Sequence, residues 1–375
     1  QTVSIDEYYV RISRMMKQLD PTNIRILSAI QRFGPRNLLE VSRRTRIPFT
    51  SVYTRVRRLE TVAGHVSVLV PPMSKLGLIS ILALTAAKPG CEDKVTQALK
   101  VPKYWRAIER CEGGFTHHSV HCVPVQHAKA YQQYIRELSN RGLAASNTLI
   151  MLSDFLTDGI NFEHYFPRKK QWKFQWDGWL KGIAKQRLTR TAEDPRDYSI
   201  RLDHKDLVLV RELEGNARKR FVDLSPMLGI TLQAVKYRYD KKLAQNGVVE
   251  NYAITVLPFP PEVSAFYEIL CEFPNSSSMN RFYSYLPELF FVIGRAKGLK
   301  RDSLVLRACI LNSQISALFE FLSELCKRRI LSSYSAVRLR YDTREKQAVP
   351  VDLFHDKKGW IFDYEKSLSL LRKLA

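Results

Sequence analysis

The chain has 375 residues, enough for two to four domains of ordinary size, and its 45% hydrophobic and 26% charged residues suit a globular protein. Lys and Arg number 59 against 37 Asp and Glu, a net charge of +22 that points to a polyanionic partner. Nucleic acid leads over an anionic membrane, because no basic stretch carries a large apolar face and no run approaches the roughly 18 apolar residues of a membrane span. Six dispersed cysteines without a CxxC pair argue against a disulfide framework. With no basic-then-apolar leader at the start, a reducing, cytoplasmic setting without a membrane partner is expected. The chain starts at Gln1, not at Met, which leaves room for a preceding segment.

In chain order, a helix is expected within 1–19 and a winged helix-turn-helix over 20–71. Asp20 can cap a helix whose first residue is Pro21; Ile24, Leu27, Ile30 and Phe33 give it an apolar stripe, and Gly34-Pro35 ends it. Leu38, Leu39 and Val41 mark a short second helix, and Arg44 to Pro48 a turn. A third helix beginning at Thr50 or Ser51 puts Val52, Val56 and Leu59 on its inner face. Thr50, Ser51, Thr54, Arg57 and Arg58 then face outward, with Arg55 on the flank. Arg43 to Arg58 holds six arginines and no acid, whereas a merely solvated face usually mixes both signs. Arg with small hydroxyl residues suits base edges and phosphates in a major groove. Gly64 ends this helix, and the alternating Val66, Val68 and Val70 suit a wing strand.

A βαββαβ order follows over 72–156, the ferredoxin-like pattern, with strands at Leu78 to Ala86, Tyr104 to Arg110, Phe115 to Val123 and Ala145 to Ser153 and helices at Glu92 to Leu99 and Ala128 to Leu138. Residues 157–200 read as a basic aromatic linker. Between Arg168 and Arg190 there are eight cations, the single acid Asp177, and Trp172, Phe174, Trp176 and Trp179 interleaved. Such aromatics pack on a neighbouring domain, or anchor an arm that touches phosphates.

The chain then repeats. Shifted by 183 positions, Leu19-Asp20 falls on Leu202-Asp203, Ile47 on Ile230, Val52 on Val235, Arg55 on Arg238 and Gly64 on Gly247, without a gap over about 45 residues. A second winged helix is thus expected over 201–257. Val235, Tyr239 and Leu243 form the inner face of its third helix, Gln233, Tyr237 and Lys241 point away, Arg238 lies on the flank, and Lys236 and Lys242 add charge. Asp240 is an acid that the first copy lacks there, so the first copy is expected to be the stronger reader of DNA. A second βαββαβ unit fills 258–343, and 344–375 is a tail with a helix from Tyr364 to Leu374. The expected class is α+β, two winged helix-turn-helix domains alternating with two ferredoxin-like domains.

Leu19-Asp20, Ile26-Leu27, Arg46-Ile47-Pro48, Ser51-Val52, Arg55-Val56-Arg57-Arg58-Leu59-Glu60, Gly64 and Leu76-Gly77 together resemble the Lrp/AsnC (feast/famine) regulators. The resemblance covers 20–155 well and 202–342 more loosely. It implies ferredoxin-like domains of the RAM type, which pair for dimerisation or sense an effector, sequence-specific binding of double-stranded DNA, and control of transcription, in some members tuned by an amino acid. It also implies either a homo-oligomer or an intramolecular pseudo-dimer of the two RAM-like domains. The family's effector loop commonly reads Gly-x-x-Asp; Gly113-Gly114-Phe115-Thr116 lacks the acid, and Gly298 to Asp302 has it displaced by one.

Two rivals come from other classes. His117 and His121 share one strand face and His118 takes the other, too few nitrogens on either face for a zinc site, so no metal is expected. The fused siroheme decarboxylases resemble the same doubled architecture, and an enzyme of that kind would draw on His117, His118 or His121 near the macrocycle. A non-catalytic scaffold or architectural DNA-associated protein is the other alternative. Because the third helix keeps a full basic face, the expectation is a regulator that is not an enzyme and carries no cofactor.

Overall fold

The computed structural model describes residues 5–374. Helix α1 (Ile5–Met16) buries Ile12 and Met15 completely. The first winged helix follows as α2 (Pro21–Phe33), α3 (Leu38–Thr45), α4 (Phe49–Ala63) and the short strand β1 (Ser67–Leu69). Asp20 caps α2 by accepting from the Asn23 backbone N–H at 2.7 Å, and Gly34 leaves it at a φ of 85°. Ile26, Leu27, Ile30, Val41, Val52 and Val56 make its core.

The first ferredoxin-like unit runs β2 (Leu78–Ala87), α5 (Glu92–Lys100), β3 (Trp105–Glu112), β4 (His117–Pro124), α6 (Ala128–Asn140) and β5 (Ala144–Leu152). The segment expected to be a linker is ordered instead: β6 (Tyr165–Phe166) and β7 (Gln171–Trp172) pair as a hairpin, followed by α7 (Trp176–Lys185). The second winged helix is α8 (His204–Gly215), α9 (Phe221–Leu228), α10 (Leu232–Tyr237), a π-helical turn at 238–244, and β8 (Tyr252–Ile254). The second βαββαβ unit is β9 (Ser264–Glu272), α11 (Ser276–Tyr285), β10 (Val292–Lys297), β11 (Ser303–Leu311), α12 (Ile315–Lys327) and β12 (Ser333–Lys346). The tail forms a second hairpin, β13 (Phe354–His355) with β14 (Gly359–Trp360), and then α13 (Tyr364–Leu374).

Both units contribute to one antiparallel sheet in the order β10-β11-β9-β12-β3-β4-β2-β5. The seam pairs β12 with β3 from Arg338 opposite Glu112 to Lys346 opposite Ala107, with a register break after Arg340. The chain beyond β5 then meets β10. Ser153 donates to the Lys297 carbonyl at 2.8 Å, and Leu156 and Arg295 exchange backbone bonds at 2.8 and 2.9 Å. The two outer strands thereby meet at one corner, where Leu152 and Leu156 bridge to Gly298 and Arg295.

Residues alternate across this sheet as the two-residue period of a strand requires. In β2, Ile79, Ile81 and Ala83 belong to the core shared with α5 and α6, while Leu82 and Leu84 belong to the core shared with the second unit. Within it lies a buried ionic cluster. Glu268 accepts from Arg307 at 2.7 Å, Glu109 lies 3.6 Å from both Arg307 and Arg344, and His118 stands between the two carboxylates at 3.1 and 3.5 Å.

The hairpin–helix additions cross over. Helix α7 packs on α11 and α12 of the second unit, with Trp176 5.4 Å from Phe321 and Trp172 stacked 4.5 Å from Phe290. Helix α13 packs on α5 and α6 of the first, with Phe362 5.4 Å from Tyr131. Each addition seals the half that it does not follow in sequence, so the interleaved aromatics of the first pack on a neighbouring unit, one of the two roles expected of them.

Candidate nucleic-acid interface

The α4 helix is a 15-residue cylinder held from behind by Val52, Val56 and Leu59, each at most 1% exposed. With those three facing inward, the helical period fixes what faces out. Thr50, Ser51, Thr54, Arg57 and Arg58 are all exposed. Two aromatics missed in the sequence join them: Phe49 and Tyr53 are 46% and 49% exposed and stack at 6.2 Å. The signal for Tyr53 was the same projection; Phe49 escaped because the helix begins one residue earlier than expected. The one carboxylate of α4, Glu60, is held by Arg218 at 2.6 Å and lies 3.4 Å from Arg57.

Arg55 does not join the outward face. It donates to Asp20 at 2.7 Å and to Asn23 at 2.9 Å, tying α4 to the start of α2. Burial opposes ionisation of Asp20, but the Asn23 backbone N–H and Arg55 outweigh it and hold the carboxyl below its usual range. Arg238 repeats the arrangement one unit later, donating to both oxygens of Asp203 at 2.8 and 2.7 Å and to Asp206 at 2.6 Å. Arg55 and Arg238, of which direct DNA contact was expected, thus hold groups of their own winged helix, Asp20 and Asn23 for the first and Asp203 and Asp206 for the second.

The second outward face differs. Gln233, Lys236, Tyr237 and Lys241 are exposed as expected, and Lys242 is half-buried. But the regular α-helix stops at Tyr237, and the wider π turn carries Asp240 and Lys241. Val222, Met227 and Leu232, at 55%, 51% and 44% exposure, add apolar surface to α9 and α10.

The two winged helices are joined to each other. The expected wing Val66 to Val70 does not fold back on its own unit: β1 pairs with β8, with Val68 opposite Ala253. Arg36 donates to the Lys219 carbonyl, and Arg218 to the Pro35 carbonyl, a reciprocal pair at a separation of 183 residues. The Arg36 guanidinium also lies 4.3 Å from the ring centroid of Phe221.

The histidines of β4 face as the strand period requires. His117 is within hydrogen-bond distance of Thr96 (3.0 Å) and Thr116 (2.8 Å), and His121 of Ser119 (2.9 Å) and Tyr131 (2.7 Å). Burial, helped by Arg110, pushes His117 down to about 4; burial and the neighbouring His118 push His121 down to about 3. Their rings are fully buried and partnered. Among the described residues, no group of three or more His, Cys, Asp or Glu side chains is placed to hold a metal. Among them, too, no helix is long and apolar enough to cross a membrane.

No family model matches the chain. An uncharacterized HTH-type transcriptional regulator of Pyrococcus horikoshii is 37% identical over 82 residues, 21% of this chain and 52% of the relative, so the match spans about half the relative's length. Among solved structures, the siroheme decarboxylase NirDL matches at a TM-score of 0.51 with 10% identity, covering 94% of this chain and 98% of that one. LrpC of B. subtilis matches at a TM-score of 0.28 with 18% identity, over 36% of this chain and 94% of that one, too low a score to carry an argument. The decarboxylase match shows a shared fold along nearly the whole chain. It corrects the expectation that the chain is not an enzyme: a known enzyme is built on this architecture, so the basic face of α4 does not exclude catalysis.

Proposed function

We propose that the chain is a DNA-binding transcription regulator, a tandem Lrp/AsnC-type protein whose two RAM-like domains pair within one chain. In this reading α4 is the principal reader of double-stranded DNA. The observation that carries it is the outward face of α4, where Thr50, Ser51, Thr54, Arg57 and Arg58 are exposed and the helix's one carboxylate is already engaged. Guanidinium groups on such a face can reach guanine edges, and the hydroxyls can reach phosphates. The regulator of P. horikoshii supports the same reading. Gln233, Lys236, Tyr237 and Lys241 supply a weaker second contact, and the β1–β8 pairing fixes the spacing between the two readers. The residues matching the family's effector loop do not enter the proposal. The first loop has no acid, and Asp302 of the second accepts from Ser276 at 2.6 Å.

The test is selection of bound duplexes from a random-sequence pool, followed by affinity against salt. A recovered motif with a large advantage over bulk DNA supports the reading, and its half-site spacing reports the arrangement of readers. Tight, motif-free, steeply salt-dependent binding would make the protein an architectural DNA binder. Absence of binding at moderate salt removes the proposal. Catalysis is a separate question put to the fold by its decarboxylase neighbour, and siroheme is the probe: turnover to a decarboxylated tetrapyrrole would establish it.

A further inference from the structure

The turn of the first hairpin lies against the flank of α4. Pro167, Arg168 and Lys170 share an open cleft of roughly 500 Å³ with Thr54 and Arg58 of α4 and with Lys17. The one carboxylate lining this cleft, Asp20, is held by Arg55. The turn's three consecutive cations, Arg168, Lys169 and Lys170, are exposed. The base of the hairpin is fixed, with Trp172 stacked between Phe162 (5.9 Å) and Phe290 (4.5 Å). The tip is shaped as well: Lys169 donates its backbone N–H to Phe166 at 3.1 Å, and Lys170 holds a left-handed φ of 50°. The charge is therefore presented by a packed turn that loses little freedom on binding.

The second hairpin supplies the contrast. Aligning Trp172 with Trp360 and Phe174 with Phe362 puts Asp356 where the first hairpin has Arg168. Asp356 accepts from the His204 backbone N–H at 2.7 Å, at the start of α8. The same element thus sits beside both winged helices; Lys357 and Lys358 match Lys169 and Lys170, and the charge is reversed only where Asp356 replaces Arg168.

We propose that the β6–β7 turn is a phosphate grip, in which Arg168 and Lys170 hold backbone phosphates of duplex DNA beside the groove read by α4, and that the β13–β14 turn is not. This rests on α4 as the DNA reader. Phosphate contacts add affinity and salt dependence without base preference.

The experiment uses the full chain and the variant R168Q/K170Q, with duplex DNA recovered by selection on the unaltered protein, or random-sequence duplex if no motif emerges. We expect affinity near 100 mM salt to fall about tenfold and the slope of log affinity against log salt to become shallower by about two, since each phosphate contact accounts for about 0.9. Base preference and thermal midpoint stay unchanged, and K357Q/K358Q stays within about twofold of the unaltered protein. If R57A/R58A weakens binding but R168Q/K170Q leaves affinity and slope intact, the grip is overturned and the α4 reading stands. If the unaltered protein does not bind, both fall. A changed base preference with an unchanged slope would make the turn a base reader and overturn the phosphate assignment. A K357Q/K358Q loss as large as that of R168Q/K170Q would overturn the asymmetry.

Discussion

The two winged helices share a frame and differ in what they present. Both begin at a capping aspartate, both clamp it with an arginine of the third helix, and both pack a valine at the same place in the core. Around that frame the first keeps an unbroken α4 with arginines and hydroxyls outward. The second breaks its third helix into a π turn, adds Asp240, and exposes Val222, Met227 and Leu232. The frame is set by burial, which tolerates few substitutions. The outward face makes no core contacts and is free to diverge. On the proposed reading the two faces would bind the same partner unequally, and the pairing of β1 with β8 would set the stronger beside the weaker.

The ferredoxin-like halves show a related inequality, and it gives the largest expected effect. The first half buries His117 and His121 with pKa values near 4 and 3; the unfolded chain would protonate them near 6.5. A base whose folded pKa is depressed favours the fold fully above the unfolded value, and this stability is lost as pH falls toward the folded one. Between pH 7 and 5 each histidine should remove about 2 kcal/mol of stability, roughly 4 together, by proton linkage. Hydrogen exchange at the two pH values should show the first half opening ahead of the second; flat stability, or acid sensitivity confined to the second half, would refute it.

For the readers themselves, R57A/R58A should weaken DNA binding by about 100-fold, or near 3 kcal/mol, at the usual magnitude of base and phosphate contacts. K236A/K241A should cost less than tenfold. Equal losses would erase the proposed ranking. The clamps separate next. Asp206 is 1% exposed, so R238A should strand a buried carboxylate at a cost of about 2 kcal/mol, while R55A breaks a half-exposed pair of at most about 1 kcal/mol. Thermal unfolding reads both, and a larger loss from R55A would invert this account. Last, R36A removes a cation–π contact with Phe221 and a bond between the winged helices, about 1 kcal/mol in stability. Its informative readout is the spacing between half-sites, which should become less stringent; an unchanged spacing preference would show that the paired wings alone hold the readers.

Much of the fold was legible because it is periodic. The capping Asp20, the glycines that end helices, the strands of both βαββαβ units and the final helix from Tyr364 to Leu374 follow from local rules, and Asp20 and Gly64 recur as Asp203 and Gly247 on shifting the chain. The outward face of α4 was legible for the same reason, since burying Val52, Val56 and Leu59 dictates the rest. Arg55 and Arg238 were not legible as clamps: their partners Asp20 and Asp203 lie 35 residues away, and a flank position on a helix does not say which neighbour it meets.

The sequence by itself determined most elements of the winged helices and the βαββαβ units, their order and the basic face, because hydrophobic period, capping and turn chemistry act within a few residues; the two hairpins and α7 it left open. Only the tertiary structure decided that β3 joins β12, that β1 joins β8, that the hairpin–helix segments seal opposite halves, and that Arg168 faces the cleft beside α4 while its counterpart Asp356 binds the start of α8. Those pairings join edges and aromatic faces more than 100 residues apart. Their partners are chosen by which exposed strand edges and apolar surfaces remain once each half has folded, and no local pattern records that choice.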